Sequence, residues 1–137
     1  MAPDTLTIGE VASRSGLAAS AIRFYEQSGL LPKPIRRGGQ RRYTSTVLDQ
    51  LTVLQHARRS GFTLSEIRGL FHGFREGEPF SVRWQEAAKR KIAELDLQMQ
   101  QIALMKNMLE QAVKCRCIEL EECGRAMRNG RGTIGKA

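Results

Sequence analysis

The sequence predicts a mostly α-helical fold: a head of short helices with a basic hairpin, one very long helix, and a cysteine loop at its end. Three observations carry that expectation. Thr7-Ile-Gly-Glu10 and Thr63-Leu-Ser-Glu66 are capping boxes, in which a hydroxyl and a carboxylate satisfy the free backbone donors of a helix start. A run without Gly or Pro extends from Ser81 to Arg116 and carries an apolar heptad. Arg37-Gly38-Gly39-Gln40 supplies a glycine turn between two short basic arms.

The first helix starts at Thr7, carries Ile8, Val11 and Ala12 at helical spacing, and stops at Gly16. A second is expected from about Ser20 to Ser28, with Ala21, Ile22, Phe24 and Tyr25 as its apolar content and Gly29 and Pro32 closing it. Two short helices joined by a glycine-containing turn form a helix-turn-helix. The hairpin arms are Pro34–Arg36 and Gln40–Tyr43. A third helix spans about Ser45 to Ser60, with Val47, Leu48, Leu51, Leu54 and Ala57 on one face and Gly61 ending it. The second capping box opens a fourth, with Ile67, Leu70 and Phe71 inward.

Beyond a linker, Ala88, Ile92, Leu95, Met99, Ile102, Leu109 and Val113 alternate four and three apart, with Lys106 the polar member of the series. That 3.5-residue seam predicts a coiled coil, and a lone helix cannot bury it, so a homodimer is expected. The expected divisions are a head over 1–75, a linker over 76–80, the coiled-coil helix over 81–113, the cysteine loop over 114–124 and a flexible basic tail over 125–137.

With 22 Lys+Arg against 14 Asp+Glu, the formal charge is +8. Lys33, Arg36, Arg37, Arg41 and Arg42 cluster without an intervening acid, the footprint of a surface that meets phosphates. In a helix-turn-helix the second helix enters the major groove, which places Ser20 and Arg23 on the expected recognition helix, Arg14 beside the turn and the hairpin arginines as a wing reaching the backbone. A two-fold dimer implies a palindromic site in double-stranded DNA. The low aromatic content of 6% argues against a base-stacking platform for single strands. The apolar runs fall far short of the ~20 residues a membrane span needs. No secretory signal is visible, and the odd cysteine count points to reduced thiols in the cytoplasm.

Cys115, Cys117 and Cys123 are the only cysteines and fall within nine residues. Thiolates so crowded can bind a soft metal, hold part of an iron–sulfur cluster, or cycle between dithiol and disulfide. A structural zinc in a constitutive DNA-binding protein, or a small thiol oxidoreductase, would use the same residues. The glutamates Glu119, Glu121 and Glu122 read as a solvated face. His56 and His72 read as satisfied or exposed rather than ligating, Met99, Met105 and Met108 as core residues of a heptad helix, and Trp84 as packing the long helix onto the head.

The segments Thr7-Ile-Gly-Glu-Val-Ala-Ser-Arg-Ser-Gly16, Ala21-Ile-Arg-Phe-Tyr-Glu-Gln-Ser-Gly-Leu-Leu31, Gln40-Arg-Arg-Tyr43 and Gly61-Phe-Thr-Leu-Ser-Glu-Ile67 resemble, in order and spacing, the MerR family of transcriptional regulators. The resemblance runs from about residue 6 to 124, and its cysteine loop is similar to that of the redox-sensing, SoxR-like branch. It implies a winged helix-turn-helix DNA-binding domain, a long antiparallel coiled-coil dimerisation helix and a C-terminal cysteine loop that receives the effector. It further implies activation by bending and untwisting promoter DNA, so that RNA polymerase is engaged indirectly.

By matching position, the implied DNA contacts are Arg14, Ser20, Arg23, Tyr25, Arg36, Arg37, Arg41, Arg42, Tyr43 and Arg58. Ala21 departs from the threonine common in the family. The SoxR-like [2Fe–2S] loop is Cys-x2-Cys-x-Cys-x5-Cys, and here its first position is Ala112. Read as Cys115-x7-Cys123, the loop is instead similar to that of copper-sensing members, where a serine opens the dimerisation helix, and Ser81 falls at about that place. The expected cofactor is therefore a soft, copper-like monovalent ion, or none with redox-active thiols. A [2Fe–2S] cluster would lack one ligand.

Overall fold

The computed structural model describes residues 5–72 and 77–130. The elements in order are β1 (Thr5–Thr7), α1 (Ile8–Ser15), α2 (Ala19–Gln27), β2 (Ile35–Arg37), β3 (Gln40–Thr44), α3 (Val47–Arg59), α4 (Leu64–His72), α5 (Phe80–Val113) and α6 (Leu120–Arg128). The chain divides into two compact units, Met1–Ala87 and Ala88–Ala137.

Both capping boxes form. The Thr7 hydroxyl accepts from the Glu10 N–H at 3.2 Å while the Glu10 carboxylate accepts from the Thr7 N–H at 3.1 Å. Thr63 and Glu66 repeat the exchange at 3.1 and 2.9 Å. Gly16 ends α1 with φ 76°, its N–H donating to the Ala12 carbonyl. The hairpin turns on Gly38 (φ 55°) and Gly39 (φ 80°), and Arg37 faces Gln40. A two-residue turn with both φ positive follows the right-handed twist of the strands, and glycine takes it without Cβ strain.

β1 has no counterpart in the expected elements. Its three residues are too few for an alternation signal, yet Thr5–Thr7 pairs antiparallel with β3 and makes a sheet of order β1-β3-β2. Leu6, the inward residue of β1, joins Val11, Ile22, Leu31, Tyr43, Val47 and Leu51 in one core. A second cluster holds Leu30, Leu54, Ala57, Phe62, Ile67, Leu70 and Ala87. Each fully buried aliphatic side chain there contributes about 1.5–3 kcal/mol. Trp84 packs where expected, its ring centroid 5.6 Å from Phe62 and 6.3 Å from Phe80. His56 meets the Trp84 edge, and His72 hydrogen-bonds the Gly29 carbonyl, so both histidines have structural partners. Phe80, expected in the linker, opens α5, while Glu76 lies outside the described residues.

In the second unit the heptad positions of α5 are open to solvent within the chain. Ile92, Met99, Ile102, Leu109 and Val113 are all exposed, as are Leu97, Leu104, Met105 and Met108. α5 ends at Val113, and Lys114 and Cys115 close it with bonds to carbonyls three residues back, the tight form of a last turn. α6 then runs to Arg128, so residues 125–128 are helical rather than part of a flexible tail. Residues 131–137 of that expected tail lie outside the described residues.

Candidate nucleic-acid interface and cysteine centre

On α2, Ile22 points into the core while Ser20, Arg23, Phe24 and Gln27 are exposed. These four stand at i, i+3, i+4 and i+7, one continuous helical face. Ser20 and Arg23 were anticipated there; Phe24 and Gln27 were not. Residue type concealed Phe24, since an aromatic in a short helix reads as core. Register relative to Ile22 is the signal that finds them. Tyr25 is half-buried and packs against both core clusters.

Arg36 and Arg37 are exposed on β2, and Arg42 is half-buried on β3 opposite Ile35. Arg14 is exposed in the last turn of α1 and Arg58 near the end of α3. Two anticipated contacts have a partner inside the head. Tyr43 is 2% exposed, and its hydroxyl donates to Glu26 Oε2 at 2.9 Å. Alternation along β3 puts Arg41 on the same face, and its Nε donates to the same oxygen at 3.1 Å. Tyr43 is a core residue, and Arg41 is engaged by an internal acid. Burial pushes the Tyr43 phenol up to about 12, helped by the hydrogen bond to Glu26 and its charge and opposed by Arg41 and Arg23. The capping bonds from Thr7 hold the Glu10 carboxyl below its usual range, and the charges of Arg14 and Arg42 act in the same direction.

The three thiols do converge. Cys115 lies just past α5, Cys117 in the following turn and Cys123 on α6. Their sulfurs lie within 4.8 Å of one another, with Cys115 Sγ 3.3 Å from Cys123 Sγ. The Cys117 N–H and then the Cys123 thiol hold Cys115 below the ordinary thiol value. Sharing its proton with Cys117 and Cys115 pushes Cys123 up to about 12. With metal–sulfur bonds of about 2.3 Å, two sulfurs in line with an ion stand about 4.6 Å apart and three in a plane about 4.0 Å. The observed spacing reaches either with sub-ångström to ångström adjustment. Ala112, at the place a fourth cluster cysteine would take, has no donor atom, so the set suits a single ion better than a [2Fe–2S] centre. Glu121 and Glu122 are exposed in the first turn of α6, where they complement the helix dipole. Ser81 stands in the first turn of α5, at the opposite end of that helix from Cys115.

A helix-turn-helix with a basic wing, a long helix and a thiol cluster defines a DNA-binding regulator rather than a catalyst. Residues 6–73 match the MerR HTH family regulatory protein domain, and residues 48–112 match the family's MerR, DNA binding domain. The chain is 36% identical over 105 residues to the HTH-type transcriptional regulator CueR of Escherichia coli O157:H7, covering 76% of this chain and 78% of that protein. It is 28% identical over 124 residues to the HTH-type transcriptional activator SoxR homolog of Chromobacterium violaceum, covering 90% and 84%. The crystal structure of the transcription regulator PbrR691 from Ralstonia metallidurans CH34 in complex with lead(II) superposes with a TM-score of 0.67 at 28% identity, over 90% of this chain and 98% of that one. The chain belongs to the MerR family of helix-turn-helix transcriptional regulators. Members of that family are DNA-binding transcription factors and not enzymes, which sets the oxidoreductase reading aside. Among the described residues no helix is long and apolar enough to cross a membrane.

Proposed function

We propose that this protein is a homodimeric, cytoplasmic regulator in which a soft metal ion, held by Cys115, Cys117 and Cys123, changes the twist of bound promoter DNA. The observation that carries the reading is the convergence of the three sulfurs within 4.8 Å. The lead(II) complex of PbrR691 supports a metal as effector for a chain of this fold. A monovalent, copper-like ion is favoured because the loop resembles that of copper-sensing members. Dimerisation is supported by the solvent-exposed stripe of α5. In an antiparallel pair, the start of one α5 meets the end of the other, so Ser81 brings a hydroxyl rather than a further thiolate to the ion, which suits a single positive charge.

The remaining steps follow from two-state physics. Two heads related by a dyad bind a palindromic duplex, with Ser20 and Arg23 toward the bases and Arg14, Arg36, Arg37, Arg42 and Arg58 toward phosphates. The ion binds one dimer conformation better than the other and shifts the population toward it. Protein contacts then supply the deformation energy that realigns promoter elements for RNA polymerase.

A second reading draws on the 3.3 Å approach of Cys115 and Cys123. Loss of two electrons and two protons to a peroxide or disulfide oxidant would join them as a disulfide and give the same switch a redox input. Anaerobic purification followed by metal analysis and titration separates the readings. One soft ion per thiol cluster, lost in Cys115→Ser, supports the metal. A protein that binds no ion but forms a reversible Cys115–Cys123 disulfide supports the redox input. A zinc that no signal displaces, with an unchanged promoter response in Cys117→Ser, contradicts both and leaves a structural metal.

A further inference from the structure

Arg41 belongs to the basic cluster of the hairpin, and charge alone would send it to a phosphate. The structure places it on Glu26 instead. Glu26 Oε2 accepts both the Arg41 Nε, at 3.1 Å, and the Tyr43 hydroxyl, at 2.9 Å. Glu26 lies in the last turn of α2, whereas Arg41 and Tyr43 project from one face of β3. A single carboxylate oxygen therefore joins the recognition helix to the strand that carries the wing. The joint is shielded: the Glu26 side chain is 12% exposed and that of Arg41 23%. Salt screens such a pair less than a solvated one. The neighbouring α2 residues Arg23, Phe24 and Gln27 stay exposed, so the joint leaves the reading face open.

We propose that Glu26 is a positioning residue for DNA recognition: it keeps Arg41 off the phosphates and fixes the wing to α2, so that both elements meet the duplex in one relative orientation. The phosphate ligands of the wing are then Arg36, Arg37 and Arg42. The proposal rests on α2 and the hairpin facing DNA, and it makes two predictions that a plain surface ion pair does not. Arg41 contributes little to the salt dependence of binding. Removing the negative charge of Glu26 weakens DNA binding, although simple electrostatics demands the reverse.

The test uses the full-length protein and a duplex enriched from a random 30-base-pair library by the wild type, with Kd measured across a salt series. Each phosphate contact contributes about 0.9 to the slope of log K against log salt, hence about 1.8 for the two copies in a dimer. Arg36→Ala should flatten the slope by about that amount, whereas Arg41→Ala should weaken binding and leave the slope within ~0.5 of wild type. Glu26→Gln should weaken binding severalfold. An Arg41→Ala slope as flat as that of Arg36→Ala, tighter binding by Glu26→Gln, or wild-type affinity in both variants would each overturn the proposal. Circular dichroism reports whether Glu26→Gln folds; if it does not, the Arg41→Ala slope decides alone. A wild type that enriches no duplex removes the DNA-facing assignment itself, before any variant is made.

Discussion

Replacing Tyr43 with phenylalanine deletes one oxygen from the core of the head and changes neither its shape nor its charge. That oxygen donates to Glu26 at 2.9 Å from a residue 2% exposed. A hydrogen bond to a charged partner contributes about 1.5–3 kcal/mol net. Arg41 keeps hold of the same carboxylate oxygen, so Glu26 is not left unpaired and the lower half of that range applies, about 1.5–2 kcal/mol. The assay is urea unfolding at pH 8, with both proteins at one protomer concentration because association shifts the midpoint. The pH dependence gives a second handle. Folding raises the phenol from its ordinary 10 to about 12, so the native state holds this proton more tightly than the unfolded chain does. The resulting stability is fully present below pH 10 and is lost as pH rises through 12, an effect on the order of a few kcal/mol. Tyr43→Phe has no phenol to titrate, so the gap between the two proteins should narrow steadily from pH 10 upward. Equal stability at pH 8, or a gap that stays constant from pH 9 to 11.5, would refute the Tyr43–Glu26 argument.

Other perturbations probe other parts of the molecule. Ile102→Asp places a charge in the exposed seam of α5 and should turn a dimer into monomers by sedimentation while the helical circular dichroism of the head persists; a dimer of wild-type affinity would exclude the seam as the interface. Thr63→Ala removes the hydroxyl that caps α4 and should cost about 1 kcal/mol in thermal or urea unfolding. Gly39→Val forces a β-branched residue to φ 80° and should lower DNA affinity through a distorted wing, with little change in the metal content of the cysteine cluster. Iodoacetamide at neutral pH should modify Cys115 before Cys123, because the first is held below the ordinary thiol value and the second is raised above it; peptide mass spectrometry of singly labelled protein reads the order.

Most of the head was legible because its signals are local. A capping box needs four residues, and both boxes formed with the bonds their residues imply. The Gly38-Gly39 turn and the α5 heptad are likewise patterns a linear scan can hold. What was not legible depends on contacts across the chain. β1 is three residues long and exists because Leu6 faces Tyr43 on β3. Leu120, Cys123 and Met127 do recur at i, i+3 and i+7, but Gly124 and the surrounding charges hid α6 from a propensity reading. Residue type and motif point Arg41 and Tyr43 to DNA, and their internal partner, Glu26, lies fifteen and seventeen residues away, beyond what a local pattern holds. The cysteines were found at once, since three thiols in nine residues need no fold to be noticed. Their convergence within 4.8 Å needed α6 to fold back Cys123.

The central claim is that the thiol cluster converts an ion into a change of DNA geometry without controlling whether DNA is bound. The measurement that meets it most directly is in vitro transcription from a promoter recovered with the wild-type protein, with and without stoichiometric Cu(I) under anaerobic conditions, alongside Kd for the same DNA. The account predicts that Cu(I) raises transcript yield with wild-type protein. It predicts no such rise with Cys115→Ser, while both proteins occupy the promoter with similar affinity. A transcript level indifferent to the ion, or a Cys115→Ser protein that responds as the wild type does, would contradict it.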